Sequence, residues 1–201
     1  MRNIKYPPME TTRFETFFDA ILAIIITILV LKIPQPSSPT PEALFSLKTN
    51  YIAYLISFLT LFNIWHSNHK LLHEIDIIDN MTLWIYGTMI FVITLLPYFT
   101  KWIASNIYSI PSQTMFGLIF IITHVLISLA TRNIYKSNPY NPKLLELNNQ
   151  SKYEHFPIII LIIGFILTYT VYTPGIYLCC LITVILWILI DILIKRDYNG
   201  N

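Results

Sequence analysis

Long apolar blocks, each about as long as a membrane-crossing helix, dominate this sequence. The chain has 201 residues, of which 55% are hydrophobic and 12% are charged. Soluble domains carry roughly 25% charged residues, and about 20 largely apolar residues span a hydrocarbon core as one helix. The sequence therefore predicts an all-α integral membrane protein with a single domain over residues 1–201. Its net charge of +2 is too small and too scattered for a nucleic-acid-binding protein.

Six blocks are long enough to be transmembrane helices. They lie at about residues 14–33, 51–72, 80–100, 114–134, 156–172 and 175–194. The last two are separated by Thr173, Pro174 and Gly175, which predicts a tight helical hairpin. The longest connection, about 135–155, is polar and contains proline, which is typical of a solvated linker. Connections this short leave no room for a soluble catalytic domain, so we do not expect an enzyme.

The basic residues indicate the orientation of the spans, because cytoplasmic loops carry an excess of Lys and Arg. With a cytoplasmic N-terminus, three basic residues lie outside, namely Lys32, Lys48 and Lys101. The ten that then lie inside are Arg2, Lys5, Arg13, Lys70, Arg132, Lys136, Lys143, Lys152, Lys195 and Arg196. We therefore expect both termini to be cytoplasmic.

The first span begins with charged residues that lipid tolerates poorly. Asp19 opens the apolar run of RFETFFDAILAIIITILVLKIP, residues 13–34. A charge in hydrocarbon costs roughly 3 kcal/mol or more unless it has a partner or faces away from lipid, so Asp19 must point into the protein. The second span ends in WHSNHKLLH, whose indole, amide and imidazole groups can donate hydrogen bonds to a carboxylate. The candidate partners of Asp19 are Arg13, Trp65, Asn68 and His69.

The apolar run that follows Asp19 has a distinct stripe on its other side. At about 100° per residue, four residues share this stripe, namely Ile24, Thr27, Ile28 and Leu31. The stripe faces either lipid or a symmetry axis between copies of the chain, and the residues alone leave both possibilities open.

Three motifs resemble those of the transmembrane protein 175 family, which comprises endolysosomal and bacterial potassium channels. The motif R-x-x-x-F-F-D, from Arg13 to Asp19, resembles the family signature R-x-x-x-F-S-D at the start of the first helix. The stretch W-x-x-N-H-K-L-L, which begins at Trp65, is similar to the family's W-x-x-H-H-x-L-F, and LLP at residues 95–97 matches an LLP motif. The six-span layout matches one family repeat, so the resemblance covers nearly the whole chain.

The chain departs from the family pattern at two positions. Phe18 replaces the motif serine, whose hydroxyl belongs to a hydrogen-bond network between the first two helices in the family. Asn68 replaces the first histidine of the His-His pair on the second helix. We hypothesise that the two changes compensate for each other.

The resemblance implies a homotetramer in a bacterial plasma membrane, with K⁺ and the lipid bilayer as its other partners and no cofactor. Four copies of the first helix would line a central pore that lacks a selectivity-filter loop and prefers K⁺ weakly over Na⁺. Ile24, Ile28 and Leu31 would form the hydrophobic gate, with Thr27 as a polar layer. The structural signature and the network between helices one and two would comprise Arg13, Phe17, Asp19, Trp65, Asn68 and His69.

Two other functions remain open. His66, His69 and His73 share one face of the second span, and such a spacing could bind zinc or haem in a membrane protein. A secondary transporter is the other alternative, and transporters typically have broken helices near the middle of the membrane. Pro97 in the third span and Gly164 in the fifth are the residues at which a break is conceivable.

Overall fold

The computed structural model describes residues 9–150 and 156–199, which are mostly helical; Arg2, Lys5 and Lys152 lie outside this range. The elements are β1 Met9–Glu10, α1 Thr11–Leu31, α2 Pro41–Ser46, α3 Lys48–Leu72, β2 Ile77–Ile78, α4 Asn80–Thr94, α5 Leu96–Ser105, α6 Ile110–Ser137, α7 Pro142–Gln150, α8 Phe156–Thr170 and α9 Gly175–Asn199. Each of the six predicted spans thus contains a helix. The third is divided into α4 and α5 at Leu95, because Pro97 has no backbone N–H with which to continue the helix.

Three described stretches are long and apolar enough to cross a membrane, namely Thr11–Leu31, Asn80–Ser105 and Ile110–Ser137. Two apolar helices are shorter, over Phe156–Thr170 and Gly175–Leu189. The 25-residue helix α3 is not among them, because polar residues such as Asn63, His66 and Asn68 lower its hydropathy.

Two connections contain helices that the sequence analysis did not predict. In α2, Pro41 occupies the first turn and the Thr40 hydroxyl caps the helix by accepting from the Ala43 N–H at 3.3 Å. The connection over 135–155 is more helical than the sequence analysis predicted, since α6 continues to Ser137 and α7 follows, although most of its described side chains up to residue 145 are exposed. Asn141 Oδ1 caps α7, and the burial of Leu144 holds that helix against the core.

A two-stranded antiparallel ribbon joins the start of α1 to the turn between α3 and α4. Met9 pairs with Ile78 and Glu10 with Ile77, and the Thr11 N–H donates to the Asp76 carbonyl at 3.0 Å. The ribbon is an addition to the predicted all-α fold. It places the N-terminus of α1 beside the C-terminus of α3, so these two helices run antiparallel.

The core lies where α1, α3, α4 and α6 meet, and its largest fully buried side chains include Phe18, Tyr86, Phe116 and Phe120. The hairpin of α8 and α9 packs on α6 at Gly117, where a Cβ would lie 2.7 Å from the Ile176 side chain. A Cβ at Gly164 would lie 2.8 Å from the Cβ of Cys179, so α8 and α9 approach each other more closely than other residues allow.

Candidate functional site

Helix α1 has one buried face and one face that nothing in the described chain covers. Its buried apolar residues are Phe14, Phe18, Leu22, Ile25 and Leu29. On the other side, the stripe identified in the sequence is exposed, with 58% of Ile24, 38% of Ile28 and 79% of Leu31 accessible and Thr27 exposed as well. We call Ile24, Thr27, Ile28 and Leu31 the open face of α1.

Two side-chain contacts join α1 to α3 at the end of the bundle that holds the β-ribbon. The Trp65 Nε1–H donates to Asp19 Oδ1 at 3.0 Å, and His69 Nδ1 lies 2.5 Å from Glu15 Oε1. The acceptors are one helical turn apart on α1, and the ring groups are one turn apart on α3. The Trp65 and His69 rings stack with centroids 5.7 Å apart and an interplanar angle of 8°. We call these two contacts the α1–α3 polar contacts.

The other candidate partners of Asp19 lie elsewhere. Arg13 is exposed, and within the described residues no hydrogen bond joins it to Asp19. Asn68 is buried and bonds within its own helix and to α4 rather than to Asp19. Phe17 is 57% exposed and lies beside the open face.

Phe18 and Asn68, the two departures from the family motifs, both contact Tyr86 of α4. Phe18 is 1% exposed and meets the Tyr86 ring edge-on at a centroid distance of 5.9 Å. The Tyr86 hydroxyl donates to Asn68 Oδ1 at 2.6 Å. The phenylalanine therefore replaces a polar contact with an aromatic one, and the asparagine serves as the acceptor for a buried phenol.

Glu15 and Tyr86 are the residues of this site that the sequence analysis missed. Glu15 had a signal in the sequence, since it precedes Asp19 by one turn just as Trp65 precedes His69 by one turn. Two carboxylates one turn apart on one helix can pair with two ring donors one turn apart on the adjacent helix, because residues four apart lie on the same helix face. No comparable signal identifies Tyr86, because its role depends on how α4 packs.

At the same end of the bundle, Asp79 ties the start of α4 to the end of α6. Its carboxylate accepts from the Thr82 N–H at 2.9 Å, from the Ser137 hydroxyl at 2.9 Å and from Asn133 Nδ2 at 2.9 Å. Burial raises the pKa of Asp79, but the hydrogen bonds from Thr82 and Ser137 outweigh burial and hold the pKa below its ordinary value. This end also includes the ion pair between Lys143 and Glu74, at 3.0 Å.

The histidines of α3 do not form a metal site among the described residues. No group of three or more His, Cys, Asp or Glu side chains within 9–150 and 156–199 is arranged to hold a metal ion. His69 bonds to Glu15, and its ring lies 6.0 Å from that of His73. Gly164, one of the conceivable break points of a transporter, lies inside the continuous helix α8.

Comparisons with known proteins agree on one family. Residues 13–97 match the family model described as the endosomal/lysosomal potassium channel TMEM175. A potassium channel of Chryseobacterium sp. strain P1-3 is 25% identical over 195 residues, which cover 96% of this chain and all of that protein. A potassium channel of Chamaesiphon minutus is 32% identical over 101 residues, which cover 47% of this chain and half of that protein.

The fold also matches a solved structure. The crystal structure of a lysosomal potassium-selective channel TMEM175 homologue from Chamaesiphon minutus superposes with a TM-score of 0.74 at 21% sequence identity. The match covers 90% of this chain and 96% of that one.

Proposed function

Because residues 13–97 match the TMEM175 family model and the chain resembles potassium channels in sequence and a TMEM175 homologue in fold, we propose that it is a channel of this family and passes K⁺ passively across a membrane through a pore lined by α1. The observation that supports this most is the open face: an apolar helix face with one polar layer that residues 9–150 and 156–199 leave uncovered. Several copies of such a helix, with their open faces turned inward, enclose a narrow apolar passage. The chain acts as a channel rather than an enzyme, with K⁺ as the permeating ion and no cofactor.

The gate consists of Ile24, Ile28 and Leu31. A narrow ring of aliphatic side chains expels water, and a dry segment blocks ions because an ion cannot keep its hydration shell there. The pore conducts when α1 tilts or rotates so that these rings widen. Gating is therefore a change in the orientation of one helix rather than the movement of a separate lid.

The α1–α3 polar contacts set that orientation. Asp19 and Glu15 lie on the side of α1 that faces α3, so their bonds to Trp65 and His69 fix the rotation of α1 about its own axis. A rotation of the open face toward or away from the pore must stretch or break these contacts. Their role is structural, and they are not ion ligands.

Selectivity arises from the cost of partial dehydration in the narrow passage. K⁺ loses its hydration shell more readily than Na⁺, so a tight apolar neck favours K⁺, and the Thr27 layer supplies oxygen atoms next to the gate. The Thr27 hydroxyl donates to the Ile24 carbonyl at 2.7 Å, which leaves the lone pairs of its oxygen for water or an ion. Without a cage of backbone carbonyls, the preference for K⁺ over Na⁺ is weak.

The assembly is a homotetramer in the bacterial plasma membrane, with both termini and the β-ribbon on the cytoplasmic side. The distribution of basic residues supports this orientation, because Lys70 and Lys136 lie near the ribbon end, as does Lys143 through its ion pair with Glu74. Lys32 follows the last residue of α1 and Lys48 is the first residue of α3, so both lie at the end of the bundle away from the ribbon. The excess of positive charge thus falls on the proposed inner side.

Ion flux into liposomes that contain the purified protein tests this function, with K⁺ and Na⁺ measured in parallel. Ile24→Asn places an amide in the gate, so we expect faster flux and a lower ratio of K⁺ to Na⁺. The matched control is Ile162→Asn, since Ile162 is a 49% exposed isoleucine on α8, away from the open face. Well-folded protein that passes neither ion would contradict the proposal.

A further inference from the structure

The side of α6 that faces away from the core carries a continuous row of exposed side chains. Its residues follow one another at alternating steps of four and three, and this spacing keeps them on one helix face. The first four are aliphatic and between 37% and 45% exposed, namely Leu118, Ile122, Val125 and Leu129. The last two are the exposed cations Arg132 and Lys136. This face, which we call the α6 row, is therefore apolar over most of its length and positively charged at its end.

The two cations of the α6 row have no anionic partner among the described residues. Within 9–150 and 156–199, neither Arg132 nor Lys136 forms an ion pair or a side-chain hydrogen bond. The carboxylate of Asp79 lies near this end of α6, but it accepts its hydrogen bonds from neutral donors, namely Thr82, Asn133 and Ser137. Like charges one turn apart on a helix repel each other. An anion held between the two cations would remove this repulsion.

The contacts of Asn133 place the cations at the edge of the membrane-spanning part. Asn133 Nδ2 lies 2.9 Å from the Asp79 carboxylate and 2.8 Å from the Thr82 hydroxyl, so this part of α6 is level with the first turn of α4. The stretch Asn80–Ser105 is long and apolar enough to cross a membrane, and its first turn therefore lies near the boundary between hydrocarbon and head groups. Long cationic side chains at this boundary extend toward the phosphates of lipid head groups.

Helix α4 adds an apolar side chain beside the cations. The two helices run antiparallel and face each other at Thr82 and Asn133, so the residue before each of these lies on the same side of the pair. These residues are Met81, which is 63% exposed, and Arg132. A flexible methionine adapts its shape to an apolar partner, so the surface next to the cations suits hydrocarbon as well as charge.

We propose that Arg132 and Lys136 bind the phosphate of an anionic phospholipid whose acyl chains lie along Met81 and the α6 row. Basic sites at the ends of transmembrane helices bind the head groups of anionic lipids. The two cations alone would suit any phosphate, but the apolar row that leads to them suits a ligand that carries hydrocarbon chains. No residue of this site belongs to α1 or α3, so the site goes beyond the proposed pore and does not depend on it.

Thermal unfolding of the purified protein in a neutral detergent tests this site. Three additions are compared: phosphatidylglycerol, phosphatidylcholine with the same acyl chains, and inorganic phosphate. A ligand that binds the folded chain raises its unfolding temperature. We expect phosphatidylglycerol to raise it more than phosphatidylcholine does, and inorganic phosphate to leave it unchanged. Native mass spectrometry of the same samples counts the bound lipid molecules and gives their affinity.

The test variant is Arg132→Gln with Lys136→Gln, which removes both charges from the exposed surface. Each basic residue near a membrane surface changes the affinity for anionic lipid about fivefold, so we expect phosphatidylglycerol to bind this variant roughly 30-fold more weakly. The matched control is Lys32→Gln with Lys101→Gln, which removes two exposed cations at the other end of the bundle and should keep the binding. Arg132→Lys with Lys136→Arg keeps both charges and should also keep it.

Three results would overturn the proposal. Equal shifts with the two lipids would mean that the head-group charge is not recognised. Equal losses of binding in the two glutamine variants would mean that net charge, rather than this pair of cations, attracts the lipid. A shift with inorganic phosphate as large as that with phosphatidylglycerol would exclude a lipid as the specific occupant. Because binding is measured without ion flux, each result is independent of whether the protein conducts K⁺.

Discussion

Trp65 and Asp19 are joined directly, with the indole Nε1–H 3.0 Å from Oδ1 of the carboxylate. This bond explains how a helix that must cross a membrane can contain an aspartate. The carboxylate is turned away from the open face and toward α3, where an aromatic donor from a neighbouring helix satisfies it. Because Asp19 faces α3, the residues on the other side of α1 form the open face.

Trp65→Phe removes this donor and keeps most of the ring. A hydrogen bond to a charged group contributes about 1.5–3 kcal/mol, so we expect a loss of that order in the free energy of unfolding. We also expect a larger change in open fraction than in the ratio of K⁺ to Na⁺, since the bond sets the rotation of α1. Trp102→Phe is the control, because Trp102 is partly buried on α5 and its ring lies against Phe99 of the same helix. Equal losses for both variants in thermal unfolding would contradict a specific role for the bond.

Phe18→Ser restores the serine of the family motif and is expected to be harmful here. Phe18 is almost fully buried against Phe14 and Tyr86, and removing such a ring costs about 3–5 kcal/mol. Combining it with Asn68→His tests the hypothesis that the two positions compensate. We expect the double variant to lose less stability than the sum of the two single variants. If Phe18→Ser alone left the midpoint of denaturation unchanged, position 18 would not be coupled to the contacts of α3 and α4.

Asp79→Asn should remove a pH-dependent part of the stability. The hydrogen bonds of the folded state lower the pKa of Asp79, so its contribution is fully present above the ordinary pKa of an aspartate. The contribution is lost as the pH falls through the lowered value of the folded state. Asparagine keeps an oxygen that can cap α4, so the loss reflects the charge of the carboxylate rather than the cap.

The exposed Asp76 of the same turn provides the comparison for this prediction, as Asp76→Asn. Unfolding is measured in detergent from neutral pH down to the acid limit of the protein. Parallel stability curves for the Asp79 variant and the unmodified chain would show that the carboxylate contributes nothing that depends on pH.

Thr27→Val keeps the shape of the polar layer and removes its hydroxyl. We expect slower K⁺ flux, because the passage next to the gate becomes wholly apolar and expels water more readily. Thr16→Val is a matched control, since Thr16 is also exposed and also donates to a carbonyl of its own helix but lies below the gate. Equal effects of the two variants on single-channel conductance would place Thr27 outside the pore.

Gly164→Ala and Gly87→Ala should change stability in opposite directions. A Cβ at Gly164 would lie 2.8 Å from the Cβ of Cys179 and 3.2 Å from the Cα of Ile176, so the α8–α9 hairpin must open, at a cost of about 1–3 kcal/mol. A Cβ at Gly87 meets nothing within 4 Å. Alanine there should add about 0.5–1 kcal/mol, because it lowers the entropy of the unfolded chain. If the Gly164 variant had the same free energy of unfolding as the unmodified chain in chemical denaturation, the hairpin would be able to accommodate the added methyl group without cost.

Much of this fold could be predicted from the sequence, because the apolar blocks and their breaks determine where helices form in a membrane protein. The family resemblance from motifs at Arg13, Trp65 and Leu95 is confirmed by the comparisons. The helix α7 was missed because it depends on the burial of Leu144, which is a tertiary contact, although its cap at Asn141 is local and could have been noticed. The β-ribbon was missed because two residues are too short to show a strand pattern.

The candidate site likewise has a part that local sequence patterns predict and a part that depends on tertiary packing. The open face could be predicted because a helical projection depends only on spacing. The partners of Asp19 could only be narrowed to a set, since the choice among Trp65, Asn68 and His69 depends on the rotation of α3. The packing of Tyr86 against Phe18 depends on α4, and no local pattern at either residue indicates it.

The ribbon between Met9–Glu10 and Ile77–Ile78 has a mechanical consequence for the chain. It fixes the first residue of α1 to the α3–α4 turn, and the two bonds to Trp65 and His69 hold the next two turns of the helix. If α1 tilts in the proposed gating movement, this end is the pivot, and the displacement of the helix is largest toward Leu31. In the proposed pore, Leu31 then moves furthest, and the proline-rich segment after it is the stretch of chain that must absorb the movement.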